Sequence, residues 1–384
     1  MSKGLSRYWD PVPYFVRSDF PARTDVTIIG AGIAGLALAR MLAAESIDFC
    51  IIEERPVLGL GISGGQIGTA RIGLADNFFR LHNSLGAAES SNLLRYSQQG
   101  IDFLKQLGLL TGSGGLELAA NPREWQELKQ SHLLLRAVGI ESALVGRTEL
   151  NSCQQHFYGA LHLPMEGILS SAKLLQELSK GIEIVNAKVQ HVLDHGLLAV
   201  ETNRGVIETT TVVIANGWHS QQLHPLLEQA ITPVRVQAIA LPTQSTQPFS
   251  CSAQYGYLEW RNTKDHLLIS GCRWATPHLE VGESDDTIWV GAIAEKLQQA
   301  ASQLGAHSSP SHRWSSIVAG SCDQLPLIGP LNSSSPIYAC CGFNGRQTAL
   351  GVRAAQSVLQ FLLNGSDPEL PSSCSATRLS QQNC

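Results

Sequence analysis

The sequence predicts an α/β protein, α+β overall. In it a discontinuous nucleotide-binding domain of Rossmann-like type carries an inserted, sheet-containing domain. Three observations support that expectation. The chain opens on strand, glycine turn, helix and strand in "VTIIGAGIAGLALARMLAAESIDFCIIEE", residues 26–54. Its middle, residues 231–275, is rich in strand-like segments. Its end returns to a strand, a glycine turn and a helix in "IYACCGFNGRQTALGVRAAQSVLQFLL", residues 337–363. A nucleotide-binding unit whose first and last pieces flank a β-rich stretch is most simply built by insertion.

The elements follow in order. Residues 1–24 read as an irregular arm. Val26–Ile29 is a short buried strand, Ile33–Ala44 an alanine-rich helix and Phe49–Ile52 a second strand, a βαβ opening. Residues 86–107 place Leu93, Leu94, Ile101, Leu104 and Leu107 at helical spacing. Residues 111–160 mix short strands with helical pieces around 124–129. A helix at 170–180 precedes strands near 182–190, 197–202 and 206–214, and a further helix spans 285–304. The final strand, 336–341, leads through "GFNGRQT" into a helix ending near residue 363. The expected domains are 24–105 with 165–230 and 318–365 for nucleotide binding, and 106–164 with 231–317 for the substrate. The Ser- and Gln-rich residues 366–384 are expected to be a disordered tail.

Composition narrows the function. The chain has 384 residues, 43% hydrophobic and 15% charged, with a net charge of -5. That balance, with no block of consecutive Lys and Arg, argues against nucleic acid as a partner. No apolar run reaches the roughly 20 residues of a membrane span, and the N-terminus lacks the apolar core of a signal peptide. A cytoplasmic location is the expectation. The nine cysteines have no regular spacing and read as reduced thiols. The twelve histidines form no metal-ligand motif, so no metal site is assigned.

The opening glycines carry the first chemistry. Gly30 permits the tight strand-to-helix turn, Gly32 the approach of a pyrophosphate, and Gly35 close packing of helix on strand. The phosphates would meet free N–H groups at the helix N-terminus, including Ile33 and Ala34. Glu53 and Glu54 end the second strand, roughly 20 residues on, where an acid accepts from a ribose hydroxyl. An acid there disfavours a 2′-phosphate. Three later features separate a flavin dinucleotide from a nicotinamide one. A Gly/Ser loop, "GLGISGGQIGTARIG", residues 59–73, stands where a crossover helix would be usual. An apolar strand, "VVIANGWHS", ends in the small residues Ala215, Asn216 and Gly217. The segment "DQLPLIGP" leads to the terminal glycine turn, whose helix N-terminus suits the anionic edge of a reduced flavin.

Together and in this order, these features resemble the D-amino-acid oxidase-like superfamily of FAD enzymes. The pattern is nearest to its gamma-glutamylputrescine oxidoreductase and glycine oxidase-type members, and the resemblance spans roughly residues 24 to 365. It implies bound FAD and oxidation of a C–N bond by hydride transfer to flavin N5. The substrate would be a small amine or amino acid, with oxygen or another electron acceptor as the second partner. It also implies that Gly30, Gly32, Ile33, Ala34 and Glu53 hold the ADP half. Ser63, Gly64, Gly65 and Gln66 would meet the flavin side, and the Val189 backbone the adenine. Gly342, Asn344, Gly345, Arg346, Gln347 and Thr348 would lie at the pyrimidine edge.

One departure bears on the substrate. Amino-acid-oxidising members usually carry an arginine in the segment that reads "WSSIVAGSCDQLP" here, and Val318 stands in its place. Valine cannot form a bidentate pair with a carboxylate. Either the substrate lacks an α-carboxylate or another arginine takes over, with Arg346, Arg273 and Arg71 as candidates for substrate positioning. His82, His219 and Trp260 could line a pocket. Cys322 adjoins the motif without matching a known flavin-linking position. Two further readings stay open: a tRNA side-chain modification enzyme with an FAD domain of this kind, and a flavin-binding protein without amine turnover.

Overall fold

In the computed structural model the described residues are 5–194, 196–332 and 335–381. The chain divides into two compact units. One comprises Met1–Tyr8, Gly65–Ser170 and Val234–Ile317, and the other Trp9–Gly64, Ser171–Pro233 and Val318–Cys384. Among the described residues no helix is long and apolar enough to cross a membrane.

The second unit holds a nine-stranded sheet. Its centre is parallel: Glu183–Asn186, Phe49–Glu53, Arg23–Ile29 and Gly205–Ile214 lie side by side in that order. Their carboxyl-terminal parts, residues 26–29, 50–52 and 212–214, are buried, as parallel strands covered on both faces are. The long strand Gly205–Ile214 changes partner along one edge. Its first half pairs antiparallel with Leu198–Thr202 and its last residues pair parallel with Ile337–Cys341. Register brings the carboxyl ends level: Ile52 faces Ile29, Ile29 faces Ile214, and Ile214 faces Ala339. The glycine turn, Glu53, Asn216 and Gly342 therefore all lie along one rim, where open α/β sheets bind ligands.

Two helices leave that rim. Ile33–Ala44 is apolar nearly all round, with eight of its twelve residues buried, as a fully covered helix should be. Gln347–Asn364 packs against it, and Gly351 brings the two close. A Cβ there would lie 3.7 Å from Ala34 Cβ.

The first unit holds an eight-stranded sheet, in the order His312–Ser321, Ile231–Pro242, His266–Gly271, Leu258–Asn262, Ser250–Ala253, Gly115–Leu118, Gly159–Leu163 and Ala143–Gly146. Alternation sorts its side chains. Leu116, Leu118, Cys251, Trp260 and Ile269 face the helix Gly291–Gln303 through Ile293 and Leu297 in one apolar core. Glu117, Ser250, Ser252, Glu259, Arg261 and Ser270 occupy the opposite face.

Three expectations are corrected. The segment 65–105 belongs with the first unit rather than with the strands of the second, because Ala87–Gln106 packs on Phe78–Leu85, which in turn packs on Pro122–Ala137. The arm is not wholly irregular: Phe15–Val16 adds a parallel strand beside Glu183 and Ile184. Residues 366–381 are not a disordered tail. Arg378 forms a two-pronged ion pair with Asp323 at 2.8 and 2.9 Å, and Cys374, Ala376 and Leu379 are buried.

Candidate functional site

The rim of the second unit is built from the glycine turn outward. Gly30 has φ +104°, and a Cβ there would come within 2.7 Å of Asn216 Cα. A Cβ on Gly35 would stand 1.9 Å from the Gly30 carbonyl oxygen. The protein itself demands both glycines. Gly32 differs. Its φ of -78° suits any residue, and only Ser63 Oγ, 3.0 Å away, lies near where its Cβ would be. Protein packing does not require a glycine there, whereas the close approach of a pyrophosphate does.

Gly32 is the N-cap of Ile33–Ala44 and offers no side chain to cap it. Ile33 N donates to Ser63 Oγ at 3.1 Å, so a hydroxyl already sits where an anionic oxygen would be welcome. Ser63 is held by a tight loop in which a Cβ on Gly64 would meet the Gly59 carbonyl at 2.2 Å. Gly65 and Gln66 fall in the first unit. There Trp314 Nε1 donates to the Gly65 carbonyl at 2.6 Å, and a Cβ on Gly65 would overlap Ser316 Oγ at 1.9 Å.

Glu53 accepts from Ala31 N at 3.0 Å and from Arg55 N at 3.1 Å, one bond to each oxygen. Burial raises its pKa, and those two backbone donors oppose the rise. Each oxygen keeps a lone pair for a further donor such as a ribose hydroxyl. Ala187 N donates to the Glu53 carbonyl at 3.0 Å, which carries Val189 to the same end of the sheet. Glu54 Oε1 lies 3.6 Å from His219 Nε2, and His219 stacks on Trp218 at 3.8 Å. Burial lowers the His219 pKa while Glu54 raises it, and the net shift is downward. Asn216 Oδ1 is buried with no hydrogen-bond partner among the described residues. Such an acceptor costs about 1–3 kcal/mol unless a donor reaches it.

The terminal turn forms the other end of the rim. Gly342, Asn344 and Gly345 all have positive φ, at 71°, 50° and 88°. Asn344 ties the turn to the preceding strand: its side chain accepts from Ser321 N at 3.0 Å and donates to Ser321 Oγ at 2.9 Å. Arg346, buried, is the N-cap of Gln347–Asn364. Gln347 and Thr348 open that helix with no acid in the first turn.

Sequence reasoning missed a network behind Glu53. Tyr14 Oη donates to the Arg55 carbonyl at 2.8 Å and accepts from Asn186 Nδ2 at 2.9 Å. Asn186 Nδ2 also bonds the Glu53 carbonyl at 3.1 Å. Tyr14 lies in the arm and Asn186 ends another strand, so no local pattern could connect them.

The candidate arginines do not form one set. Arg71 and Arg273 belong to the first unit and Arg346 to the second. Arg71 is buried and its Nε lies 3.3 Å from Glu166 Oε2. Arg273 lies 4.8 Å over the ring of Tyr257. Trp260 packs in the core against Phe157, and His82 lies edge-on to Phe78. Cys322 is disulfide-bonded rather than reduced, so its thiol is not available to a flavin.

Residues 25–358 match the model of the FAD dependent oxidoreductase family. Glycine oxidase of Pseudomonas aeruginosa is 23% identical, covering 89% of this chain and 95% of the relative. Mitochondrial sarcosine dehydrogenase of Mus musculus is 24% identical over 92% of this chain, which spans only 41% of that longer protein. The structure is similar to glycine oxidase from Geobacillus kaustophilus, with a TM-score of 0.77, 20% identity and coverage of 93% and 99% of the two chains. The chain belongs to the FAD dependent oxidoreductase family.

Proposed function

We propose that the protein oxidises a C–N bond of a small amine with FAD as its resident cofactor. The observation that carries the reading is the rim of the second unit. There, a glycine that packing does not require, a half-satisfied carboxylate and an unpartnered amide oxygen line up with two adjacent helix N-termini. Gly32, Ile33, Ala34 and Ser63 would hold the pyrophosphate by backbone N–H and hydroxyl groups. Glu53 would accept from a ribose hydroxyl, and the Val189 backbone would meet the adenine. The helix N-terminus at Arg346, Gln347 and Thr348 would offset negative charge at the pyrimidine edge. When bound, FAD supplies a two-electron acceptor.

The relatives support the class of substrate, since glycine oxidase and sarcosine dehydrogenase are named for small amino acids. Two observations favour an amine without an α-carboxylate. Val318 stands where a carboxylate clamp would be, and Arg71 is already committed to Glu166. The test is anaerobic titration of the FAD-loaded protein with a panel of amines and amino acids while the visible flavin absorbance is followed. Bleaching by amines supports the reading, and bleaching by α-amino acids alone refutes the assignment of Val318.

A second reading has one supporting observation. The tRNA 5-methylaminomethyl-2-thiouridine biosynthesis bifunctional protein of Burkholderia thailandensis is 24% identical over 81% of this chain, which spans 49% of it. The net charge of -5 weighs against RNA binding. Tight, salt-sensitive binding of tRNA would favour this reading instead.

A further inference from the structure

Within the second unit one segment crosses the rim. The strand Gly205–Ile214 does not neighbour Phe49–Glu53, because Arg23–Ile29 lies between them. Yet His219, just past the end of the first, brings Nε2 to 3.6 Å from Oε1 of Glu54, just past the end of the second. The chain from residue 215 to the His219 side chain therefore spans two strand spacings, roughly 10 Å. It does so across the carboxyl end of Arg23–Ile29, by way of the turn Gly217–Gln222. Its root lies against the glycine turn. Ala215 N donates to the Ile29 carbonyl at 2.9 Å, and Asn216 Cα lies 2.7 Å from where a Gly30 Cβ would be. Its far end meets Glu54, the residue after Glu53. All of these residues belong to the second unit.

The two ends of this crossing are held differently. Near the root, Trp218 packs on the same apolar core that Val189 and Val192 flank. Asn216 Oδ1 is buried there with no hydrogen-bond partner among the described residues. Such an acceptor calls for a donor that arrives with a ligand. Gly217 then turns the chain with a φ of +64°, in open space. At the far end His219 stacks on Trp218 at 3.8 Å and faces Glu54. Their separation of 3.6 Å is longer than a hydrogen bond. Burial lowers the His219 pKa most. Glu54 raises it, Arg55 and Lys188 lower it, and the Asn216 carbonyl raises it, with a net shift below the ordinary 6.5. At neutral pH the ring is therefore uncharged, and it has little hold on Glu54.

We propose that Glu54 and His219 form a latch, closed by a proton, that fastens the turn Gly217–Gln222 beside the ADP half of FAD and slows its release. This rests on the placing of FAD along the rim given above. A proton on Nε2 gives an N–H donor facing Glu54 Oε1, and the gap closes to a charged hydrogen bond. The cofactor works in the same direction. A pyrophosphate at the glycine turn brings negative charge close to the root of the segment, which favours the imidazolium. Coupling between two sites is reciprocal, so the proton and the dinucleotide each strengthen binding of the other.

The test is the rate of FAD release from the loaded protein on dilution, followed by free-flavin fluorescence at about pH 8 and about pH 5.5, either side of the ordinary imidazole value. At the higher pH wild type and His219→Gln should release FAD at similar rates. At the lower pH His219→Gln should release it roughly three- to fivefold faster, the range of a half-exposed ion pair. Glu54→Gln should match His219→Gln, and the double variant should be no faster than either. A merely structural role for His219 gives the same gap at both pH values. That result, or a pH-dependent gap that persists when His219→Gln is made in the Glu54→Gln background, overturns the proposal. If His219→Gln does not fold, wild type against Glu54→Gln carries the same comparison. Gly32→Ala separates the latch from the placing of FAD. If that variant loses FAD readily while the pH-dependent gap is absent, the latch alone falls. If it holds FAD as firmly as wild type, the placing falls and the latch with it. Flavin release is read without any amine, so failure to oxidise amines leaves the latch standing.

Discussion

The rim of the second unit and the polar face of the sheet in the first unit are electrostatic opposites. At the rim two helices begin without acidic residues in their first turns, at Ile33 and at Gln347, so the helix dipoles supply positive potential. On the sheet face Glu117, Glu166 and Glu259 surround Arg71. The first charge comes from backbone and cannot be titrated away. The second comes from side chains and can be removed one residue at a time.

The largest expected effect separates glycines that the fold needs from one that the ligand needs. Gly35→Val should destabilise the apo-protein by about 4 kcal/mol or prevent folding, since even a Cβ overlaps the Gly30 carbonyl. Gly32→Ala should leave the apo-protein melting temperature nearly unchanged and weaken FAD binding by about tenfold or more. Thermal melts with and without FAD, with fluorescence titration, would check both. If the two variants behaved alike, the distinction between them would collapse.

Next in size is the buried ion pair. Arg71→Met should cost about 3–5 kcal/mol in urea unfolding because it strands the Glu166 carboxylate. The double variant Arg71→Met with Glu166→Leu should recover part of that loss. A single variant that stayed stable but lost substrate binding would mark Arg71 as a clamp after all.

Glu53→Gln should weaken FAD binding by about tenfold, a charged hydrogen bond lost at the ribose. It also has a pH signature in the apo-protein. Burial raises the Glu53 pKa above the ordinary 4.5, so the folded state holds its proton to higher pH than the unfolded chain. Glu53 therefore contributes stability below pH 4.5 that is lost as pH rises through the folded value. The melting temperature of the wild type should fall relative to Glu53→Gln across that interval, and a flat difference would refute the shift. The smallest effect is Tyr14→Phe, about 1 kcal/mol of stability and a few-fold weaker FAD retention, measured by the rate of flavin loss on dilution.

The two regions also differ in how far the sequence discloses them. The turn Gly30–Gly35 and Glu53 lie within two dozen residues, and each constraint is local, so the βαβ opening and a dinucleotide could be read from the motif. The row Glu117, Ser252, Glu259 and Ser270 could not. Glu117 in "GLELA" alternates like any half-buried strand residue, and its neighbours arrive only through a parallel pairing of Gly115–Leu118 with the distant Ser250–Ala253. Nor does local sequence disclose which arginine is already paired. The Ser- and Gln-rich end misled for a related reason. Average composition reads as disorder, whereas a few spaced anchors, Cys374, Ala376 and Leu379, are buried.

The anchoring of that end has a practical side. Arg378 grips Asp323 and also donates to the Pro326 and Leu325 carbonyls at 2.7 and 2.9 Å. A shortened version cut after Gly365, where composition invites it, would leave the "DQLP" bend without its clasp. That bend leads into Leu327–Pro330, which pairs directly with the strand feeding the terminal glycine turn. Anyone trimming the protein for crystals should therefore keep the chain through Gln381 and expect a truncated form to lose its yellow colour.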